Sequence, residues 1–194
     1  IDRLHTTAES HDRVMVVEVM GRDAGWIALQ AGIAGGATAI VVPEVPFDID
    51  ELSMIVRKRH ERGRYASVVV VAEGAKPKPG TLKLPARIDD IYGREKLGDI
   101  AHVIAPEISA RTGFESRVVQ LGHIQRGGTP TSYDRVLSTR FGLAAVDAVH
   151  DKAFGEMVVL NRGAIARVDM AITAGQTRTI DLALFADVAA TFFG

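Results

Sequence analysis

The chain has 194 residues, 47% of them apolar, a formal net charge of −1 and no cysteine. Such a length and apolar share provide one sizeable core or two small ones, and they exclude disorder as the default. The near-zero charge gives a nucleic-acid partner no electrostatic footprint, and the lack of cysteine removes disulfides and thiolate metal sites, in keeping with a cytoplasmic location.

No apolar run approaches the roughly 18 residues of a membrane-spanning helix, so no membrane partner is expected. The first residues do not form a signal peptide. The chain starts with Ile and reads as a piece of something longer.

In chain order, "RVMVVEVMG" (13–21) predicts a buried strand, Val-rich and ended by Gly. "DAGWIALQAGIAGGA" (23–37) predicts a helix of small residues that packs closely on a sheet, with Asp23 suited to its N-terminus. "AIVVPEV" (39–45) is a strand halted by Pro43 and Pro46. "DIDELSMIVRKRHERG" (48–63) is an amphipathic helix with Asp48 as N-cap and Gly63 just past its end. "YASVVVVAEG" (65–74) is the strongest strand. Residues 98–113 read as a helix containing Pro106, where a kink is expected. "SRVVQLG" (116–122) is a further strand, and 132–150 a long helix. Residues 156–170 read as two short strands around Arg162-Gly163, and 181–194 as a closing helix. Strands separated by helices indicate an α/β fold: a mostly parallel sheet with helices on both faces. The Pro-rich, charged stretch 75–96 predicts a surface loop or insertion, or a flap over a site.

Ligands of open α/β sheets sit beyond the carboxyl ends of the strands. After the first strand come Met20, Gly21, Arg22 and Asp23; after the third, Glu73 and Gly74; after the fourth, Gly122, His123, Ile124, Gln125, Arg126, Gly127 and Gly128. Arg13 and Arg117 lie at the opposite ends of two of these strands. Guanidinium forks bind phosphate oxygens bidentately. A helix N-terminus after a Gly-rich turn adds free N–H groups. A carboxylate such as Glu73 suits sugar hydroxyls. The set therefore matches a phosphorylated polyol. Each residue alone has an ordinary explanation: a solvated Arg, a strand-ending Glu, a capping His, a core Met. Their convergence at three strand ends is the stronger signal.

The stretches "VVEVMGR" (16–22), "VVAEG" (70–74) and "GHIQRGGTPTSYDR" (122–135), in this order and with Arg117 ahead of the last, closely resemble the 6-phosphofructokinase family, the bacterial and actinobacterial type in particular. The resemblance runs from about His11 to at least Arg140. It implies phosphoryl transfer to the 1-hydroxyl of fructose 6-phosphate, giving fructose 1,6-bisphosphate in glycolysis. Carried over by motif, Met20, Gly21, Arg22, Glu73, His123, Ile124, Gln125 and Arg126 would line the sugar-phosphate pocket. His123 and Arg126 would sit at the 6-phosphate, and Arg22 near the transferred group. Arg13 and Arg117 match arginines that the family inserts from a neighbouring subunit, so a homo-oligomer, a tetramer, is implied for the parent protein. Arg62 and Arg64 match basic residues of the effector site of bacterial relatives.

The sequence also departs from the family. A Gly-rich nucleotide turn and a "TIDND"-like stretch, whose Asp is the catalytic base, do not occur in it. Residues 1–194 are expected to be the sugar-phosphate-binding half of the fold, lacking the N-terminal nucleotide-binding part. No catalytic base is then expected in this chain. ATP, or pyrophosphate in its place, and Mg²⁺ would be bound mainly by the missing half. Asp23 stands where many relatives carry a neutral or His side chain, His5 replaces an arginine, Thr38 an acidic position and Ala66 a histidine. Two other classes compete. A dinucleotide-binding oxidoreductase is disfavoured, because no G-x-G-x-x-G follows the first strand. The other is a non-catalytic sugar-phosphate-binding or regulatory module.

Overall fold

A computed structural model describes residues 1–85, 89, 93 and 97–190. The chain divides into two units, Ile1–Gln125 with Arg178–Gly194, and Arg126–Thr177.

The first unit is built on two strands that are buried along their whole length, β1 (Val14–Val19) and β3 (Ser67–Ala72). Near-continuous apolar runs of this kind, broken in β1 by Glu18 alone, belong to parallel strands covered on both faces. A sheet of order β2-β3-β1-β4 follows, with β2 at Ala39–Val41 and β4 at Ser116–Gln120, and every pairing is parallel. Residue parity divides the core. Val14, Val16, Val69 and Val71 pack with Ile49, Leu52 and Val56 of α3 (Ile49–Glu61) and with Ile104 and Ile108 of α4 (Ile100–Thr112). Met15, Val17, Val68 and Val70 pack on the other side with Ala28 and Leu29 of α2 (Trp26–Ala34) and Ala8 of α1 (Asp2–Glu9). This is the expected parallel sheet with helices on both faces.

Close approach explains the small residues of α2. A Cβ on Gly32 would stand 2.5 Å from Ile40 Cδ1, so the helix lies almost directly on the sheet. Asp48 caps α3, its side chain accepting the N–H groups of Asp50 (2.9 Å) and Glu51 (3.4 Å), and Gly63 takes the left-handed conformation past the end at φ 75°. Pro106 lies inside α4. The α1 helix is absent from the sequence reading because Leu4 and Ala8 are too few apolar residues to mark it.

Part of the predicted 75–96 loop falls outside the described residues. Its opening is tied down: Phe47 N–H donates to Lys76 O (3.0 Å), Lys78 N–H to Phe47 O (2.6 Å), and Lys78 pairs with Glu51 at 3.0 Å. The predicted 181–194 helix runs as α6 (Leu182–Leu184), capped by Asp181, and continues as π-helical turns over Phe185–Ala190; residues 191–194 lie outside the described residues.

The second unit holds α5 (Ser132–His150) and an antiparallel hairpin of β5 (Glu156–Asn161) and β6 (Ala164–Asp169). Arg162 (φ 49°) and Gly163 (φ 85°) form the two-residue turn, both left-handed as such hairpins require. Thr131 and Asp134 make a reciprocal capping box at the start of α5. Tyr133, Val136, Leu143, Val146 and Val149 of this helix are exposed.

Replacing Asp48 by Ala should lower the unfolding free energy by about 1 kcal/mol. Replacing the fully buried Ile104 by Ala should lower it by about 2–5 kcal/mol. Urea titrations followed by circular dichroism test both, and equal midpoints for the two variants would contradict the assignment of cap and core.

Candidate functional site

Parallel register brings three strand ends level. Val19 pairs with Ala72, and Glu18 with Gln120, so Met20, Glu73 and Leu121 are the next residues out on adjacent strands. Side chains and backbone then join these segments. Met20 N–H donates to Gln125 Oε1 (2.8 Å) and Gly21 N–H to Glu73 Oε1 (3.3 Å). Glu73 N–H donates to Val19 O (2.9 Å) and Gly74 N–H to Gly21 O (3.0 Å). The approach at Gly74 admits no side chain, since a Cβ there would stand 1.9 Å from Arg22 O. The joined segments surround a cleft of about 230 Å³ lined by Glu18, Met20, Glu73, Gly98, Gln120 and His123 among others.

Of the sequence-predicted residues, Met20, Glu73 and His123 thus line one cleft, and Gly21 and Gln125 hold its edge by hydrogen bonds. Arg22 follows in the same turn and is exposed. Ile124 is 80% exposed. Arg126 is exposed, ends the 3₁₀ helix Gly122–Arg126, and is the first residue of the second unit. The "GHIQR" stretch, expected as a Gly-rich turn, takes the form of a short 3₁₀ helix. The expectation of free N–H groups at the start of α5 is corrected in part, because Asp134 N–H is taken by Thr131 Oγ1 (3.3 Å). The Asp134 carboxyl is held below the usual range by the hydrogen bonds it accepts from the Thr131 hydroxyl and backbone N–H.

Arg13 and Arg117 lie elsewhere. They stand at the amino ends of β1 and β4, bridged by Glu115, whose carboxylate accepts from Arg13 Nε at 2.7 Å and pairs with Arg117 as well. Six strand residues at about 3.3 Å each put roughly 20 Å between them and the cleft of their own chain. The Glu115 carboxyl is held low, first by the hydrogen bond from Arg13.

Asp23 does not cap α2. The cap position is Gly25, which has no side chain to offer, and Glu44 supplies the acceptor instead. Gly25 N–H donates to both Glu44 oxygens (3.1 and 3.0 Å), and Ile180 N–H donates to Oε1 at 3.1 Å. Trp26 Nε1 donates to Arg178 O (2.8 Å), and the Arg178 guanidinium lies 5.3 Å from the Trp26 ring centroid. Arg62 is the C-cap of α3, and Arg64 follows two residues later, after Gly63. Burial, and then repulsion from Arg64, depress the pKa of the neighbouring Arg59. Thr38 is buried and bonds to Val68 in both directions, and His5 bonds to Gly35 O at 2.6 Å.

Sequence reasoning passed over Glu18, Gln120, Glu44 and Glu115. The signal for Glu18 was present, a charged residue inside an otherwise apolar strand, whereas Gln120 merely closes a strand that already holds Ser116 and Arg117. Among the described residues no group of three or more His, Asp or Glu gathers as a metal site, and no helix is long and apolar enough to cross a membrane.

A model of the Phosphofructokinase family matches residues 1–149. A pyrophosphate–fructose 6-phosphate 1-phosphotransferase of Streptomyces coelicolor is 53% identical over all 194 residues, which are 56% of its own length. An ATP-dependent 6-phosphofructokinase of Mycobacterium tuberculosis is 52% identical over the same span, again 56% of its length. The solved phosphofructokinase of Saccharomyces cerevisiae superposes with a TM-score of 0.73 at 36% identity, covering 89% of this chain and 21% of that one. The chain thus spans about half the length of the curated relatives it matches, and with its three motifs meeting at one cleft it belongs to the phosphofructokinase family.

Proposed function

We propose that the chain furnishes the fructose 6-phosphate site of a 6-phosphofructokinase, which transfers a phosphoryl group to the 1-hydroxyl of that sugar. The observation that carries this reading is the joining of the three motifs. Glu73 and Gln125 each accept a backbone N–H from the Met20–Gly21 turn, so the turn is fixed before any ligand arrives. In the proposed roles, Glu73 accepts from sugar hydroxyls, and His123 and Arg126 take the 6-phosphate. Arg22 faces the group in transfer, where positive charge lowers the barrier. The donor, ATP in the first instance or pyrophosphate, and Mg²⁺ fall to residues outside this chain. Relatives of nearly equal identity are named for each donor. This is what a chain dealing with the acceptor alone would give.

Fructose 6-phosphate should bind the chain in a calorimetric titration. Arg126→Ala should weaken binding about tenfold to more than a hundredfold, the size of a charge-assisted pair of 1.5–3 kcal/mol. Gly74→Ala should weaken it too, because its Cβ must displace the Arg22 carbonyl from the turn. An unchanged dissociation constant in Arg126→Ala would refute the assignment.

Turnover by residues 1–194 alone should be absent with either donor. Loss of a general base costs about 10²–10⁴-fold, and loss of donor positioning multiplies that. Fructose 1,6-bisphosphate formation near the kinase range of about 1–100 s⁻¹, after rigorous removal of host enzyme, would show the catalytic machinery to be complete here.

The distance of Arg13 and Arg117 from their own cleft leads to assembly. In the proposed enzyme they serve a neighbouring copy, and light scattering of the protein at the length of its relatives should give a homotetramer. An active monomer would contradict this.

A further inference from the structure

Glu18 is the only charged residue of β1, and it is 2% exposed. A lone carboxylate at that depth is strongly disfavoured, so its partners must account for it. Its Oε2 accepts from Ala101 N–H at 3.0 Å, and its Oε1 from Asp99 N–H at 3.2 Å and from Gln120 Nε2 at 2.8 Å. Two of these donors form the start of α4. That helix has no cap of its own, because Asp99 sits in the left-handed conformation at φ 75° and its side chain makes no capping bond. The sheet caps the helix, with a charge of the sign that a helix N-terminus favours.

The position matters because of what precedes it. Leu97 and Gly98 line the cleft together with Met20, Glu73 and His123. Gly98 has φ 105°, and a Cβ on it would stand 3.3 Å from Gln120 Nε2 and 3.6 Å from Glu18 Oε1. The peptide that walls the cleft therefore lies on the Glu18–Gln120 pair. One carboxylate ties the wall, the helix behind it and two strands of the sheet.

We infer that Glu18 is a positioning residue of the sugar-phosphate cleft. It acts through Leu97–Ala101 to set the wall that faces Met20 and Glu73, and its acceptor oxygens are occupied by protein donors. This role rests on the reading of the cleft given above.

The test uses the 194-residue chain with Glu18→Gln and Gln120→Met. Glutamine in place of Glu18 keeps the shape but turns one acceptor into a donor, facing donors. Amide hydrogen exchange by mass spectrometry follows residues 97–104, with the β5–β6 hairpin as internal control, and calorimetry follows fructose 6-phosphate. In Glu18→Gln, exchange at 97–104 should quicken at least about tenfold with the hairpin unchanged. The dissociation constant should rise by about tenfold, the size of one misplaced polar contact. Gln120→Met should move both readouts the same way by a smaller factor, and it carries the test if Glu18→Gln does not fold. Unchanged exchange at 97–104 overturns the inference, and so does faster exchange with an unmoved dissociation constant. If the unsubstituted chain binds no fructose 6-phosphate, the reading of the cleft fails, while exchange still decides whether Glu18 holds the wall.

Discussion

The parallel pairing of β1 with β3 on one side and β4 on the other is the constraint from which the rest of the molecule follows. It requires β1 to be covered on both faces, hence its near-continuous valines and the helices above and below. It also makes the carboxyl ends of three strands coincide, so the chain must turn three times at one edge of the sheet. Turns leave backbone N–H and C=O groups without ladder partners, and each must be satisfied. Here that satisfaction comes from residues of the motifs themselves, Gln125 for Met20 and Glu73 for Gly21. Stability of the turns and construction of the cleft are thus one arrangement.

Carboxylates serve as the joints. Glu18 caps α4 from the sheet, and Glu44 caps α2 while also accepting from Ile180 where the chain returns to the first unit. In both cases the helix lacks a capping side chain of its own: Asp99 is turned into the left-handed region, and Gly25 has nothing to offer. Gly25 is small for a second reason, since a Cβ on it would stand 2.5 Å from Val42. Close packing excludes a local cap there, and a distant glutamate replaces it. Helix ends capped across the fold in this way are fixed relative to the sheet and not only to their own first turn.

These joints explain what the sequence disclosed and what it withheld. Strands and helices whose burial is periodic were legible, as were caps made within a few residues, such as Asp48 for α3. The Arg162-Gly163 turn was legible because two left-handed residues between apolar runs have few other uses. Contacts over long separations were not. Nothing local distinguishes Glu44, whose partners are 19 and 136 residues away. Asp23 looked like the cap of α2 because Asp is a good one, but the chain needs two more residues to clear the turn at Arg22. The site was legible as a set of motifs, through the rule that ligands gather at strand ends. Its wall at Leu97–Gly98 was not, because the register that brings it there is a property of the folded sheet.

The cluster at the opposite edge follows a different logic. Glu115, Arg13 and Arg117 have side chains 49, 28 and 57% exposed. Ion pairs in such exposed settings contribute little, so stability does not explain the arrangement. Orientation does. Two guanidinium groups repel, and a shared carboxylate lets them converge while leaving one net positive charge and several N–H donors. A folded-state carboxyl pKa below its unfolded value stabilises only where the group is ionised. The bridge is therefore present above the ordinary carboxylate range and is lost as pH falls through the depressed value. It persists throughout the neutral range in which a phosphate ester is largely dianionic. On the proposed function the anion belongs to a neighbouring copy, and Glu115 holds the two arginines together at the strand ends opposite their own cleft.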